Sequence, residues 1–344
     1  MKALTIAIPC YNVEHLVGHC MDSILSAGVN DQIEVLAIND GSQDATSRIL
    51  HGYAQRHPNT VRVIDKANGG WGTAVNLAIR EAKGKYFKEV DADDWVMTEN
   101  LRQYVSILNE LDVDYVANSF IECHLMDKAD DVASGRHQLH NVDANLCNTI
   151  HNACDFWEHH PSSWAFPIHC ITYNTRFLRL IDLRVGDRYY ADIEYFLKSM
   201  PFVRTLFMMN VPITVYARGY EEQSTGMMGY AKHYRDMANL SLRLISFYES
   251  LSATTNPRII PSIVNTINGT IALSYELMLS PTYAANQEGS LSFLKKYDSQ
   301  IQQHPFFYET SSNVRKRGIR YIKFWRNTSI NLLRINKLKI TLTH

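Results

Sequence analysis

Two hydrophobic rhythms alternate through the first 120 residues. Short β-branched runs at 3–9 and 33–38 flank a stretch in which Leu16, Val17, Cys20, Met21, Ile24 and Leu25 recur at helical spacing, which predicts a β-α-β unit. The rhythm then repeats. A helix carrying Ala45, Ile49, Leu50 and Tyr53 precedes a strand at 61–64, and a helix carrying Ala74, Val75, Ala78, Ile79 and Ala82 precedes a strand at 86–90. Strands alternating with helices predict a mainly parallel α/β sheet covered on both faces, with ligands bound outside the strands' carboxyl ends. A further helix with Leu101, Tyr104, Val105, Leu108 and Leu111 leads to a strand at 113–118. From 125 to 165 the chain turns polar and the periodicity fades, which reads as long loops on the acceptor side. Between 228 and 330 it reads as helical, with Tyr234, Met237, Leu244, Phe247, Tyr248 and Leu251 on one face of the first helix.

Composition narrows the classes. At 344 residues, 46% hydrophobic and 20% charged, the chain is an ordinary globular protein of one large or two smaller domains. A formal net charge of -1 gives no general case for nucleic-acid binding. The six cysteines show no CxxC pair, so reduced thiols are expected in place of a zinc site or disulfide framework. The first apolar run reaches Pro9 too soon for a signal-peptide core, and no stretch is long and apolar enough to span a bilayer. A cytoplasmic location is the expectation.

Candidate chemistry gathers where the strands end. Asp91-Ala92-Asp93-Asp94 places three carboxylates within four positions behind the apolar run 86–90. Clustered acids repel one another, so they need a cation or else stay as a solvated turn. Oxygen ligands suit Mg²⁺ or Mn²⁺, which commonly bridge to a diphosphate. At the first strand end, Pro9-Cys10-Tyr11-Asn12 turns the chain and leaves Tyr11 free to flank a planar base. At the second stands Asn39-Asp40-Gly41-Ser42-Gln43-Asp44. Ser42 or Asp44 can be read as a helix cap, but Asp40 cannot. At the third stands Asn68-Gly69-Gly70-Trp71-Gly72, where Gly70-x-Gly72-x-x-Val75 half-matches a dinucleotide fingerprint, with Asp91 near the distance of its ribose acid. That supports an NAD-dependent oxidoreductase as an alternative. It lacks the third glycine, however, and leaves Asp93 and Asp94 without a use.

As an ordered set, Pro9-Cys10-Tyr11-Asn12, Asn39-Asp40-Gly41-Ser42, Asn68-Gly69-Gly70, Gly84-Lys85-Tyr86-Phe87 and Asp91-Ala92-Asp93-Asp94-Trp95 resemble the nucleotide-binding half of family-2 glycosyltransferases of the GT-A fold. The resemblance covers about the first 100 residues and implies a Rossmann-like sheet followed by a helical C-terminal region. It implies that Pro9 and Tyr11 border the nucleobase, that Asp40 recognises it, and that Asn68, Gly69 and Gly70 belong to the donor site. Asp91 would face the ribose and Asp93 the metal and diphosphate, with Asp94 either a further ligand or a cap. Asn39 stands where the family often has a second aspartate. The family's general base would correspond to Asp192 in Tyr189-Tyr190-Ala191-Asp192-Ile193-Glu194, with Asp187 and Glu194 as fallbacks. In the element from Tyr216 to Ser224, which resembles the family's segment closing over the site, Arg218 would bind phosphate and Gln223 or Ser224 an acceptor or phosphate oxygen. His151, His159, His160 and His169 lack metal-ligand spacing and read as loop or core residues.

The division expected is a GT-A domain over 1–225 and a helical region over 226–344 with a basic tail. Within the first, 1–120 would bind the nucleotide-sugar, and 121–225 would hold the acceptor and base. After Glu309 there is no acidic residue, while Arg315, Lys316, Arg317, Arg320, Lys323, Arg326, Arg334, Lys337 and Lys339 intersperse with Ile319, Tyr321, Ile322, Phe324 and Trp325. Such a segment suits peripheral contact with an anionic inner membrane face, or packs its apolar side on the domain with the charges solvated. The function implied is an inverting, Mn²⁺- or Mg²⁺-dependent transfer from a UDP-sugar to a glycan or lipid-linked acceptor, in polysaccharide or glycoconjugate synthesis. A non-catalytic sugar-nucleotide-binding protein is a second alternative. Self-association as a homo-oligomer is compatible with either.

Overall fold

The computed structural model describes residues 2–124, 136–159, 167–186, 189–219, 227–252, 255–280, 283, 287–316 and 318–331. The chain forms two compact units, Met1–Tyr220 and Glu221–His344.

The first unit begins with β1 (Leu4–Cys10), α1 (Val17–Leu25), β2 (Ile33–Asn39), α2 (Thr46–Arg56), β3 (Val61–Asp65), α3 (Trp71–Glu81) and β4 (Tyr86–Glu89). It continues through β5 (Trp95–Val96), α4 (Thr98–Glu110), β6 (Tyr115–His124), β7 (Arg136–His140), β8 (Ile150–Asn152) and α5 (Ala153–His159). β9 (Ile171–Asn174), α6 (Thr175–Leu180), α7 (Ala191–Leu197) and β10 (Thr205–Arg218) complete it. The sheet order is β3-β2-β1-β4-β9-β6-β10-β5, with β7 on β6 and β8 on β10. β1 to β4 are parallel neighbours. β9 is antiparallel to both β4 and β6, and β10 is parallel to β6, so the two later strands run with the first four. The expected mainly parallel α/β sheet is what forms.

β1 and β2 are buried along almost their whole length, as strands covered on both faces must be. Leu4, Ile6 and Ile8 meet Val17, Cys20, Met21 and Ile24 of α1 and Leu101, Tyr104 and Leu108 of α4 in one core. Pairing Cys10 with Asn39, and Asn39 with Asp65, brings the loops after β1, β2 and β3 to one edge. The Val90 amide donates to Ala7 O, which sets the Asp91–Asp94 turn beside them.

Residues 125–165, read as loops, contain more structure than that. β7 pairs antiparallel with β6, β8 pairs antiparallel with β10, and α5 follows β8. Strands so short and rich in His and Asn carry no periodicity of their own; long-range pairing makes them.

The second unit is helical, with α8 (Met227–Ser250), α9 (Ile260–Leu279), α10 (Gln287–Gln302), α11 (Pro305–Ser312) and α12 (Tyr321–Thr328). Its core includes Leu244, Ile263, Ile267, Ile271, Tyr275, Leu294, Tyr297, Phe307 and Trp325. The described part of the basic segment packs into this unit. Tyr321, Ile322 and Trp325 are buried, and Lys316 Nζ lies 2.5 Å from Glu276 Oε2. Arg326 donates to Asp298 Oδ1 at 2.7 Å and to the Tyr275 hydroxyl at 3.0 Å, with its guanidinium 3.8 Å from the Tyr308 ring centre. A guanidinium so held fixes α12 rather than facing a surface. Arg315, Arg320 and Lys323 remain exposed. Arg317, Arg334, Lys337 and Lys339 lie outside the described residues. No described helix is long and apolar enough to cross a membrane.

Candidate donor-binding site

Three loops interlock at the carboxyl ends of β1, β2 and β3. Asn12, in the left-handed region at φ 52, donates through its amide to Ser42 Oγ (3.1 Å), and its Oδ1 accepts from the Gln43 amide (2.8 Å). Gly41, at φ 75, lets the third loop come close: a Cβ there would stand 2.7 Å from the Asn68 nitrogen. Pro9 sits at the end of β1, and Tyr11 beyond it is half exposed, at 50%.

Asp40 is buried under this junction. Its carboxylate accepts from Lys66 Nζ, from the Gly69 amide (3.0 Å) and from the Gly70 amide (2.7 Å). Both oxygens are therefore committed to holding the 68–70 loop. Lys66, which sequence reasoning did not single out, also donates to Thr73 Oγ1 (2.9 Å). Its one signal was a cation directly after the strand-ending Asp65. Asn39 donates from Nδ2 to Asp65 Oδ1 (2.7 Å), a bond that an aspartate could make only if protonated. This gives the departure at position 39 a local reason.

The dinucleotide half-match has a packing explanation. At Gly72 a Cβ would stand 1.8 Å from the Gly186 carbonyl oxygen, so the glycine admits a crossing backbone against α3.

The acid cluster follows β4. Asp91 Oδ1 accepts from Trp71 Nε1 at 3.1 Å, and the same indole N–H approaches Glu89 Oε1 at 3.3 Å. Burial and then the charge of Asp93 push the Asp91 carboxyl up to about 7. Burial, followed by the neighbouring acids, holds Glu89 and Asp94 well above the carboxylate range. Asp94 is buried and accepts from the Ala217 amide at 2.9 Å, which ties the turn to β10. Lys88, wholly buried, donates to the His169 carbonyl at 2.7 Å, and desolvation brings its ammonium down to about 8. Glu89 and Lys88 were also missed. Their signal was two charges inside an apolar strand.

These residues suit a divalent cation. Buried acids whose charges raise one another's pKa are stabilised by added positive charge. Among the described residues no group of three or more His, Cys, Asp or Glu is disposed to hold an ion alone. Asp93, with Asp91 or Asp94, would therefore hold an ion only together with ligands from outside this cluster.

Asp192 lies in the first turn of α7, which starts from Tyr190 in the left-handed region at φ 66. It is exposed, yet crowding by neighbouring atoms raises its carboxyl, and its charge is among the smaller influences that raise Asp91. Glu194 is fully buried; it accepts from the Gly186 amide (2.8 Å) and pairs with Lys198 (2.9 Å), a structural role. Arg218, at the end of β10, pairs with Glu122 at 3.0 Å. Asp187, Gln223, Ser224 and His160 lie outside the described residues. His151 bonds the Leu146 carbonyl and His159 the Asp155 carbonyl, while His169 stacks on Tyr216; none sits in a metal-ligand group.

Comparison with known proteins agrees with this geometry. The sequence profile described as Glycosyl transferase family 2 matches residues 5–164. A protein of Bacillus subtilis named Uncharacterized glycosyltransferase EpsJ is 36% identical over 117 residues, 34% of this chain and 33% of that protein. A Teichoic acid poly(glycerol phosphate) polymerase of Staphylococcus epidermidis is 23% identical across 100% of this chain and 45% of its own length. The chain thus spans less than half the length of these relatives. The crystal structure of S. aureus TarS 1-349 in complex with UDP-GlcNAc shares the fold, with a TM-score of 0.51 at 15% identity over 96% of this chain and 92% of that one. The sheet order, the site at its carboxyl edge and the profile match together make residues 5–164 similar to glycosyl transferase family 2.

Proposed function

We propose that this protein transfers a glycosyl group from a UDP-sugar to a glycan or lipid-linked acceptor, with inversion and with Mn²⁺ or Mg²⁺. The observation that carries the reading is the Asp91–Asp94 cluster, where desolvation and then the charge of Asp93 push up both half-buried Asp91 and buried Asp94 beside the Asp40 loop junction. In this reading Pro9 and Tyr11 flank the uracil, while Asp40 shapes the base pocket through the Asn68-Gly69-Gly70 loop. Asp91 meets the ribose, and Asp93 holds the cation. A bound cation would supply positive charge to the departing diphosphate. Asp192 would take the acceptor hydroxyl's proton as that oxygen attacks the anomeric carbon. Its raised pKa makes it a better base than an ordinary aspartate. The likeness to a teichoic acid polymerase supports a cell-surface polymer as the product. Contact with a membrane surface, if made by the described tail, falls to the exposed Arg315, Arg320 and Lys323.

Titration calorimetry separates this from the alternatives. UDP should bind in the presence of Mn²⁺ and NADH should not, and Asp93→Asn should remove the metal-dependent part of UDP binding. NADH binding without UDP binding would overturn the reading. Donor binding without turnover on any acceptor would leave a sugar-nucleotide-binding protein.

A further inference from the structure

Trp71 joins two parts of the donor site that the sequence presents as separate motifs. It is the first residue of α3, directly after Gly70, whose φ of 87 turns the chain into the helix. The loop before it is anchored from below, because Asp40 accepts from the amides of Gly69 and Gly70. The indole of Trp71 crosses from this anchored loop to the end of β4, where Nε1–H donates to Asp91 Oδ1 at 3.1 Å and approaches Glu89 Oε1 at 3.3 Å.

An indole N–H is a donor only, on a rigid ring, and carries no charge. It fixes the direction of the Asp91 carboxylate without neutralising it. Lysine or arginine in its place would cancel charge in the cluster, and phenylalanine would fill space without a donor. We propose that Trp71 is a positioning residue that aims Asp91 at the ribose of the donor nucleotide, and that it thereby sets the protein's preference for a ribonucleotide. The inference rests on the reading above, in which Asp91 meets the ribose hydroxyls.

The test compares UDP with its 2′,3′-dideoxy analogue by titration calorimetry with Mn²⁺ on the full chain. The wild type should prefer UDP. Trp71→Phe should cut that preference about tenfold, the size of one hydrogen bond to a charged group, while affinity for the dideoxy analogue stays within about twofold. Trp71→His, which keeps a ring N–H, should recover part of the preference. An independent readout is the indole ¹⁵N–¹H resonance of Trp71, assigned by its loss in Trp71→Phe, which should move in Asp91→Asn. Equal weakening of both nucleotides would make Trp71 a mere wall of the pocket and overturn the inference, as would an unchanged preference. A wild type that binds neither nucleotide would instead overturn the donor-site reading itself.

Discussion

Carboxylates near the carboxyl edge of this sheet fall into two kinds. Glu122 on β6 is surrounded by cations or groups able to become cations: Arg218 at 3.0 Å, His124 at 2.7 Å and His140 at 3.3 Å. The Arg218 bond and charge outweigh partial burial and hold its carboxyl below the usual range. The acids at the end of β4 and in the turn after it have the opposite balance. Burial and mutual repulsion dominate there, and the carboxyls of Glu89, Asp91 and Asp94 all rise. Compensated acids lower the energy of the folded chain; uncompensated ones raise it unless a ligand completes them. The contrast therefore locates where the fold holds back charge for a partner.

Substitutions should break this contrast in distinct ways. The largest effect belongs to Asp192, the exposed acid in the first turn of α7. Asp192→Asn should lower turnover by roughly 10² to 10⁴-fold, the range of general-base catalysis, with donor affinity almost unchanged, measured by steady-state kinetics beside calorimetry. Unchanged turnover would remove Asp192 from the mechanism. Next in size, Glu122→Gln should destabilise the protein by about 1–3 kcal/mol, because it leaves Arg218 and two histidines around a neutral amide. Denaturant unfolding reads this directly.

A pH slope tests the other side of the contrast. Asp91 keeps its proton up to about 7 in the folded state, whereas the unfolded chain releases it near the ordinary value of 3.8. Between those values the folded state binds more protons, so metal-free stability should fall as pH rises from about 4 to about 7. Mn²⁺ should oppose the fall at the upper end, where the carboxylates are charged. Thermal melts with and without the ion, repeated on Asp91→Asn, check both signs; a wild-type slope unchanged in that variant would show that Asp91 is not its source.

The fold was legible where apolar periodicity was strong. The helices with Leu16 to Leu25 and Leu101 to Leu111 form as α1 and α4, and the runs at 33–38 and 61–64 form as β2 and β3. It was illegible where long-range pairing decided: β7 and β8 lie in a polar stretch and become strands because β6 and β10 offer partners. The site shows the same split. Asp40 was legible as a residue needing a purpose beyond capping, but its hydrogen bonds to Lys66 and the 69–70 backbone were not. Glu194 read as a spare base, yet Lys198 and the Gly186 amide occupy it.

The basic tail makes the point in the second unit. Its sequence is an amphipathic cationic segment, equally suited to a lipid surface or to packing. Arg326 resolves part of it, because Asp298, Tyr275 and Tyr308 come from three other helices to receive one guanidinium.

By itself, then, the sequence determined the order of strands and helices in the first 120 residues and the residues that end each strand, since both follow from local pattern and spacing. Tertiary structure alone decided which charges are compensated. Hydrogen bonds and ion pairs join residues far apart in the chain: Trp71 meets Asp91, Asp94 meets Ala217, and Arg218 meets Glu122. Whether a buried carboxylate stabilises the fold or waits for a ligand depends on what stands within a few ångströms of it, and in a sheet with crossovers only the folded chain sets that distance.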